Sequence, residues 1–82
     1  MANEADAQKT LVDARGSSCP GPITDLAMAY RRAKKGDVIE LWGTDQGMPP
    51  DVKAWAEKTH NEVVSIETQA DKIVAVVRIL NR

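Results

Sequence analysis

Near its C-terminus the chain reads Ile73-Val-Ala-Val-Val-Arg-Ile-Leu80, a run that is β-branched and almost continuously apolar. Such a run suits a strand covered on both faces, in the middle of a sheet rather than at its rim. In a chain of 82 residues, housing one such strand takes most of the remaining apolar positions. A single domain is expected, and a second does not fit.

The other runs supply its neighbours. Val63-Val-Ser-Ile-Glu-Thr68 is also β-branched, and Gln69-Ala-Asp-Lys72 is the right length for a hairpin connection between the two. Lys9-Thr-Leu-Val-Asp-Ala14 is a short β-prone run closed by Arg15-Gly-Ser-Ser18, which reads as a turn. Val38-Ile-Glu-Leu-Trp42 alternates between glycine-containing flanks and reads as a second strand. Between them, Ile23, Leu26, Ala27, Tyr30 and Ala33 fall at helical spacing and predict a helix over 20–35. Met48-Pro-Pro-Asp51 is a helix entry, and Val52, Trp55, Ala56 and Thr59 extend that helix to about His60.

The order β-α-β-α-β-β predicts an α/β (α+β) two-layer sandwich, with a mixed four-stranded sheet and two helices on one face. Its first two strands form a parallel pair with a right-handed crossover. Residues 9–82 make the domain, after a flexible N-terminal segment, 1–8. The chain has no Phe, so its core rests on Val, Ile, Leu and Ala. Trp55 belongs to the core stripe of the second helix, whereas Met48 fits either the core or an exposed contact.

Eleven basic against twelve acidic residues leave a net charge of −1. No global field favours nucleic acid or an anionic membrane, so direct binding of either is not expected. The first eight residues are acidic and polar, unlike a secretory signal, and no segment approaches a membrane span. A cytoplasmic protein is expected.

Cys19 is the only cysteine. That excludes an intramolecular disulfide, a Cys-x-x-Cys couple and a zinc site built on several thiolates of one chain. A group loaded on Cys19 has no resolving thiol at hand and must pass to another molecule. The thiol falls at the start of the first helix, where unpaired N–H groups and the macrodipole favour thiolate and would hold an anionic persulfide or thiosulfonate. Arg15 adds a positive charge if the loop folds back. Pro20 and Pro22 stiffen the junction, and Gly21 leaves room for an approaching sulfur. The plainer alternative is a small buried cysteine.

Asp13-Ala-Arg-Gly-Ser-Ser-Cys-Pro-Gly-Pro22 closely resembles the signature of the TusA-like (SirA-like) sulfur-carrier family, in which Cys-Pro-x-Pro follows the first strand and opens the first helix. Thr44-Asp45, and Asp51-Val52 before Trp55, are similar to the family's second-strand exit and second-helix entry. The resemblance spans roughly residues 11–80. It implies that Cys19 takes sulfane sulfur from a donor protein, such as a cysteine desulfurase or a rhodanese, and hands it to an acceptor protein. The chain would be a covalent carrier rather than an enzyme that turns over a free small molecule, with no cofactor. Relatives serve tRNA thiolation or the oxidation of reduced sulfur compounds. Where many relatives carry basic residues in the middle of the first helix, this chain has Ala27 and Met28, and Arg31 and Arg32 offer partial replacement one turn later.

The cluster Arg31, Arg32, Lys34 and Lys35 reads either as a docking patch or as solvated charge suited to a helix end. His60 reads as a surface or C-cap residue. Asp45, at the end of the second strand, either approaches the Cys19 loop or caps a turn. A non-catalytic regulatory or binding module with a structural cysteine is the competing functional class, and a thiol redox sensor is a third.

Overall fold

The computed structural model describes residues 8–18 and 20–81. Its elements are β1 (Lys9–Asp13), α1 (Gly21–Arg32), β2 (Val38–Gly43), α2 (Met48–Thr59), β3 (Glu62–Thr68) and β4 (Ile73–Arg78). The order across the sheet is β1-β2-β4-β3, so the apolar run becomes an interior strand as its composition demands. β1 and β2 are parallel, while β4 runs antiparallel to both β2 and β3. The expected β-α-β-α-β-β sandwich, with two helices on one face of a mixed sheet, is the fold.

Period two decides which side chains face the helices. Ile39, Leu41 and Gly43 are buried on β2 while Val38, Glu40 and Trp42 between them are half-buried on the open face. In register with them, Ala75 and Val77 of β4 point inward. Leu26 of α1 and Met48 and Val52 of α2 close the core from the helix layer. Truncating Leu26, which is fully buried, would remove transfer free energy and leave a cavity, at a cost of about 2–5 kcal/mol. Trp55 packs on this core half-buried, its ring 5.3 Å from Tyr30 in an edge-to-face arrangement.

Met48 is core. Its side chain lies against Gly43, where a Cβ would overlap the Met48 sulfur, so the end of β2 needs a glycine to let α2 start this close.

α1 stops at Arg32, three residues before the expected end. Asp37 causes this. Its carboxylate accepts the amide protons of Lys34 at 2.9 Å and Gln8 at 3.0 Å, drawing the chain out of helical geometry, and Ala33 is already extended. Lys34 and Lys35 therefore lie in a turn, with Gly36 at φ 97°, and Arg31 and Arg32 make the basic last turn instead. α2 ends in His60 at φ 62°, a left-handed C-cap, as the sequence suggested. β4 ends at Arg78 rather than Leu80, although the amide of Ile79 still donates to the Asp37 carbonyl at 2.8 Å. Gln8 is tied to Asp37 and Val38, while the rest of the expected flexible start lies outside the described residues.

Candidate functional site

The connection from β1 to α1 carries the sequence signature. It leaves the sheet at Ala14, buried at 2% exposure, whose amide donates to the Trp42 carbonyl at 2.8 Å and prolongs the parallel pairing by one residue. The chain then turns, with the Ser17 amide on the Ala14 carbonyl and Gly16 at φ 87°. The Gly16 amide donates to Thr44 Oγ1 at 3.0 Å, so the exits of β1 and β2 are tied together. Cys19 itself lies outside the described residues.

On the helix side, Pro20 is the N-cap, one residue before the helix that was expected to start there, and Pro22 falls within the first two helical positions. Pro22 is fully buried, whereas Pro20 is exposed. The Gly21 amide donates to the Ser18 carbonyl at 2.7 Å, and a Cβ on Gly21 would stand 3.0 Å from Ser17 Cβ. Gly21 thus has an internal reason, the close approach of the helix start to the turn. The N-cap makes no side-chain hydrogen bond and the first turn holds no acidic residue. No acidic residue of α1's own first turn offsets its positive end, whose field favours an anion.

Arg15 is held sideways. It grips Asp13 with two hydrogen bonds, at 2.9 and 2.8 Å, and its guanidinium lies 4.9 Å from the centre of the Trp42 ring. The Arg15 hydrogen bonds lower the Asp13 carboxyl below its ordinary value, and the same pair raises Arg15. Lys72, from the β3–β4 turn, places its ammonium 4.7 Å from the same ring, and the Trp42 Nε1 donates to Glu40 at 2.7 Å. Trp42 and Lys72 were not singled out from the sequence. The available signal was the parallel register, which sets Trp42 opposite Asp13.

Asp45 accepts the Gly47 amide at 3.0 Å in the turn into α2, and its neighbour Thr44 bonds the β1–α1 connection. Arg31 sits in the last turn of α1, about 16 Å along the axis from Pro20. Pro20 also opens an apolar cleft of about 270 Å³ between the two helices, walled by Ile23, Ala54 and Trp55 with Asp51 and Lys58 at its rim. No described helix is long and apolar enough to cross a membrane.

Comparison with known proteins places this geometry. The family described as Sulfurtransferase TusA matches residues 10–79. Three relatives share the name "Putative sulfur carrier protein". One from Archaeoglobus fulgidus is 33% identical over 74% of this chain and 84% of its own length. YrkF of Bacillus subtilis is 34% identical over 74% of this chain, and an Aquifex aeolicus protein is 28% identical over 82%. The chain spans only about a third of those last two, 33% and 34% of their lengths. With the match covering both strands of the parallel pair, the Cys-Pro-Gly-Pro junction and the closing hairpin, the chain belongs to the TusA sulfurtransferase family of sulfur carriers.

Proposed function

We propose that Cys19 is the sulfur-bearing residue, and that the chain moves one sulfane sulfur from a donor protein to an acceptor protein. The observation that carries this reading is the start of α1. It follows the only cysteine of the chain by two residues, with neither a side-chain cap nor an acidic group in its first turn. A thiolate and a persulfide anion are both favoured by such a terminus.

The reaction is an exchange at sulfur. The Cys19 thiolate attacks the outer sulfur of a persulfide on the donor; the donor's S–S bond breaks, its thiolate leaves, and a new S–S bond forms at Cys19. An acceptor thiolate repeats the step on the outer sulfur now held here, returning Cys19 as thiolate. No electrons are gained or lost overall, so neither cofactor nor oxidant is required. Where the cargo is a thiosulfonate, the Cys19 thiolate is likewise the group regained on release. Arg15, Gly16, Pro20, Gly21 and Pro22 make up the connection and helix start that flank Cys19 in sequence, Asp45 holds the turn into α2, and Arg31 lies farther along α1 for contact with a partner. The apolar cleft beginning at Pro20 gives a donor or acceptor protein a surface beside the transfer point. A lone thiol remains available in a reducing cytoplasm, where we place the protein. The relay would feed either tRNA thiolation or sulfur oxidation.

Intact mass spectrometry tests the proposal. Reduced protein incubated with a cysteine desulfurase and cysteine, or with a rhodanese and thiosulfate, should gain one sulfur atom, lost on dithiothreitol treatment and absent from Cys19→Ala. Unchanged mass with both donors would overturn it.

A further inference from the structure

The outer edge of β1 is a second surface, separate from the transfer site. β1 ends the sheet, and no described strand pairs with its outer side. The amide of Val38 donates to the Gln8 carbonyl and that of Ala14 to Trp42, so the even-numbered residues of β1 address β2. The N–H and C=O groups of Lys9, Leu11 and Asp13 consequently point outward. Beside this edge, a groove of about 430 Å³ separates β1 from α1. Leu11 and Met28, each 52% exposed, stand on its two sides, and Asp25 and Arg32 of α1 line it. Neither Asp25 nor Arg32 has an ion-pair partner among the described residues.

The groove carries opposite charges on α1 toward its two ends. Because α1 runs back against β1, Asp25 lies toward the Asp13 end and Arg32 toward the Lys9 end. Arg32 and Lys9 thus mark a basic end and Asp25 and Asp13 an acidic one, the helix residues lining the groove and the strand residues on the open face of β1, where Lys9 meets Glu40 and Asp13 meets Arg15. A surface of this kind complements itself under a two-fold rotation.

We propose that the chain forms a symmetric homodimer by antiparallel pairing of β1 with β1 of a second copy, the two α1 helices lying side by side across the same axis. Centred on Leu11, the pairing sets Leu11 against its counterpart and Lys9 against Asp13 of the other copy. All three outward residues then form hydrogen-bonded pairs. The helix wall has its midpoint between Met28 and Ala29, both in the groove, and there Asp25 falls opposite Arg32 of the other copy. A slip of two residues would instead oppose Lys9 to Leu11, losing the charge pairing on the strand and the helix together. The result is a continuous eight-stranded sheet that covers both exposed edges of β1. The two β1–α1 connections lie at opposite ends of the paired strands, which leaves both transfer sites accessible.

Sedimentation velocity between about 10 and 500 μM, the range suited to a small interface, reads the result. The native chain should dimerise. Asp25→Arg and Arg32→Asp should each weaken dimerisation at least about tenfold through two facing like charges. Mixed in equal amounts, the two variants should form a heterodimer, because one ion pair then joins both altered charges and the other joins both native ones. The chain carrying both changes should dimerise with itself for the same reason. A native chain that stays monomeric over this range, a dimer indifferent to both reversals, or a mixture and a double variant that both stay monomeric would overturn the proposal.

Discussion

Gly16 and Thr44, 28 residues apart, meet in a hydrogen bond of 3.0 Å from the Gly16 amide to the Thr44 hydroxyl. It is a side-chain tie between the cysteine-bearing connection and the exit of β2. Thr44→Val keeps the shape and removes the acceptor, and the expected cost is about 1 kcal/mol in urea unfolding. If the tie also holds the connection in place for transfer, Cys19 loading slows in Thr44→Val and recovers in Thr44→Ser. Equal loading by all three proteins would show that the tie serves stability alone.

Arg15 is the nearest sequence-predicted cation to Cys19, yet Asp13 and Trp42 engage its guanidinium. Both partners are substantially exposed, so the ion pair contributes little to stability. Arg15→Gln should unfold at nearly the same urea concentration as the native protein. Its effect should fall on loading. Losing about 1 kcal/mol of favourable charge near a developing sulfur anion slows the exchange about fivefold, read from mass-resolved time courses at low salt. Trp42→Leu removes the ring beneath Arg15 and Lys72 but keeps both charges, with Arg15 still on Asp13, so loading should change less than in Arg15→Gln while stability falls by about 1–2 kcal/mol.

The order of elements was legible because each run kept its own period. Residues 38–42 alternate, residues 73–80 are apolar but for Arg78, and the helical stripes of 23–33 and 52–59 contain no competing pattern. The early end of α1 was not legible. Ala33, Lys34 and Lys35 are acceptable helix residues, and only the carboxylate of Asp37, reaching two amides from different segments, draws the chain away. The site was legible as a motif but not as a set of contacts. Trp42 reads as one more alternating strand residue until the parallel register brings it beside Asp13, and Arg15 and Lys72 reach its ring from turns far apart in sequence. Met48 could not be assigned without knowing that Gly43 lies beneath it.

Asp37 makes a pH-dependent contribution of definite sign. Hydrogen bonds from the Lys34 and Gln8 amides lower its carboxyl below the ordinary value of 3.8. The folded state therefore binds the proton less readily than the unfolded chain. Its stabilisation is complete above about pH 4 and is lost as the pH falls through the lowered folded value. Asp37→Asn should lower the urea midpoint at pH 7, and the gap from the native protein should narrow steadily below about pH 4. A constant gap down to pH 2.5 would mean that the charge of Asp37 is immaterial.

Asn61 closes the chain end onto α2. Its Oδ1 accepts the amides of Leu80 at 2.9 Å and Asn81 at 3.0 Å, and its Nδ2 donates to Thr59 Oγ1 at 2.9 Å. Asn81 returns a bond to the Thr59 carbonyl, and the Tyr30 hydroxyl donates to the Asn81 carbonyl at 2.7 Å. The amide is thus the hub of a lock joining α1, α2 and the segment after β4. Asn61→Ala removes three of these bonds, but water replaces part of each at so exposed a place. The net loss is expected to be about 1–2 kcal/mol, a fall of roughly 4–15 °C in Tm for a domain of this size. Asn61→Asp keeps the double acceptor and loses only the donor to Thr59, so it should retain more than half of the difference. If Asp and Ala at this position melt together, the two amides of the chain end contribute nothing and the lock is held by Tyr30 and Asn81.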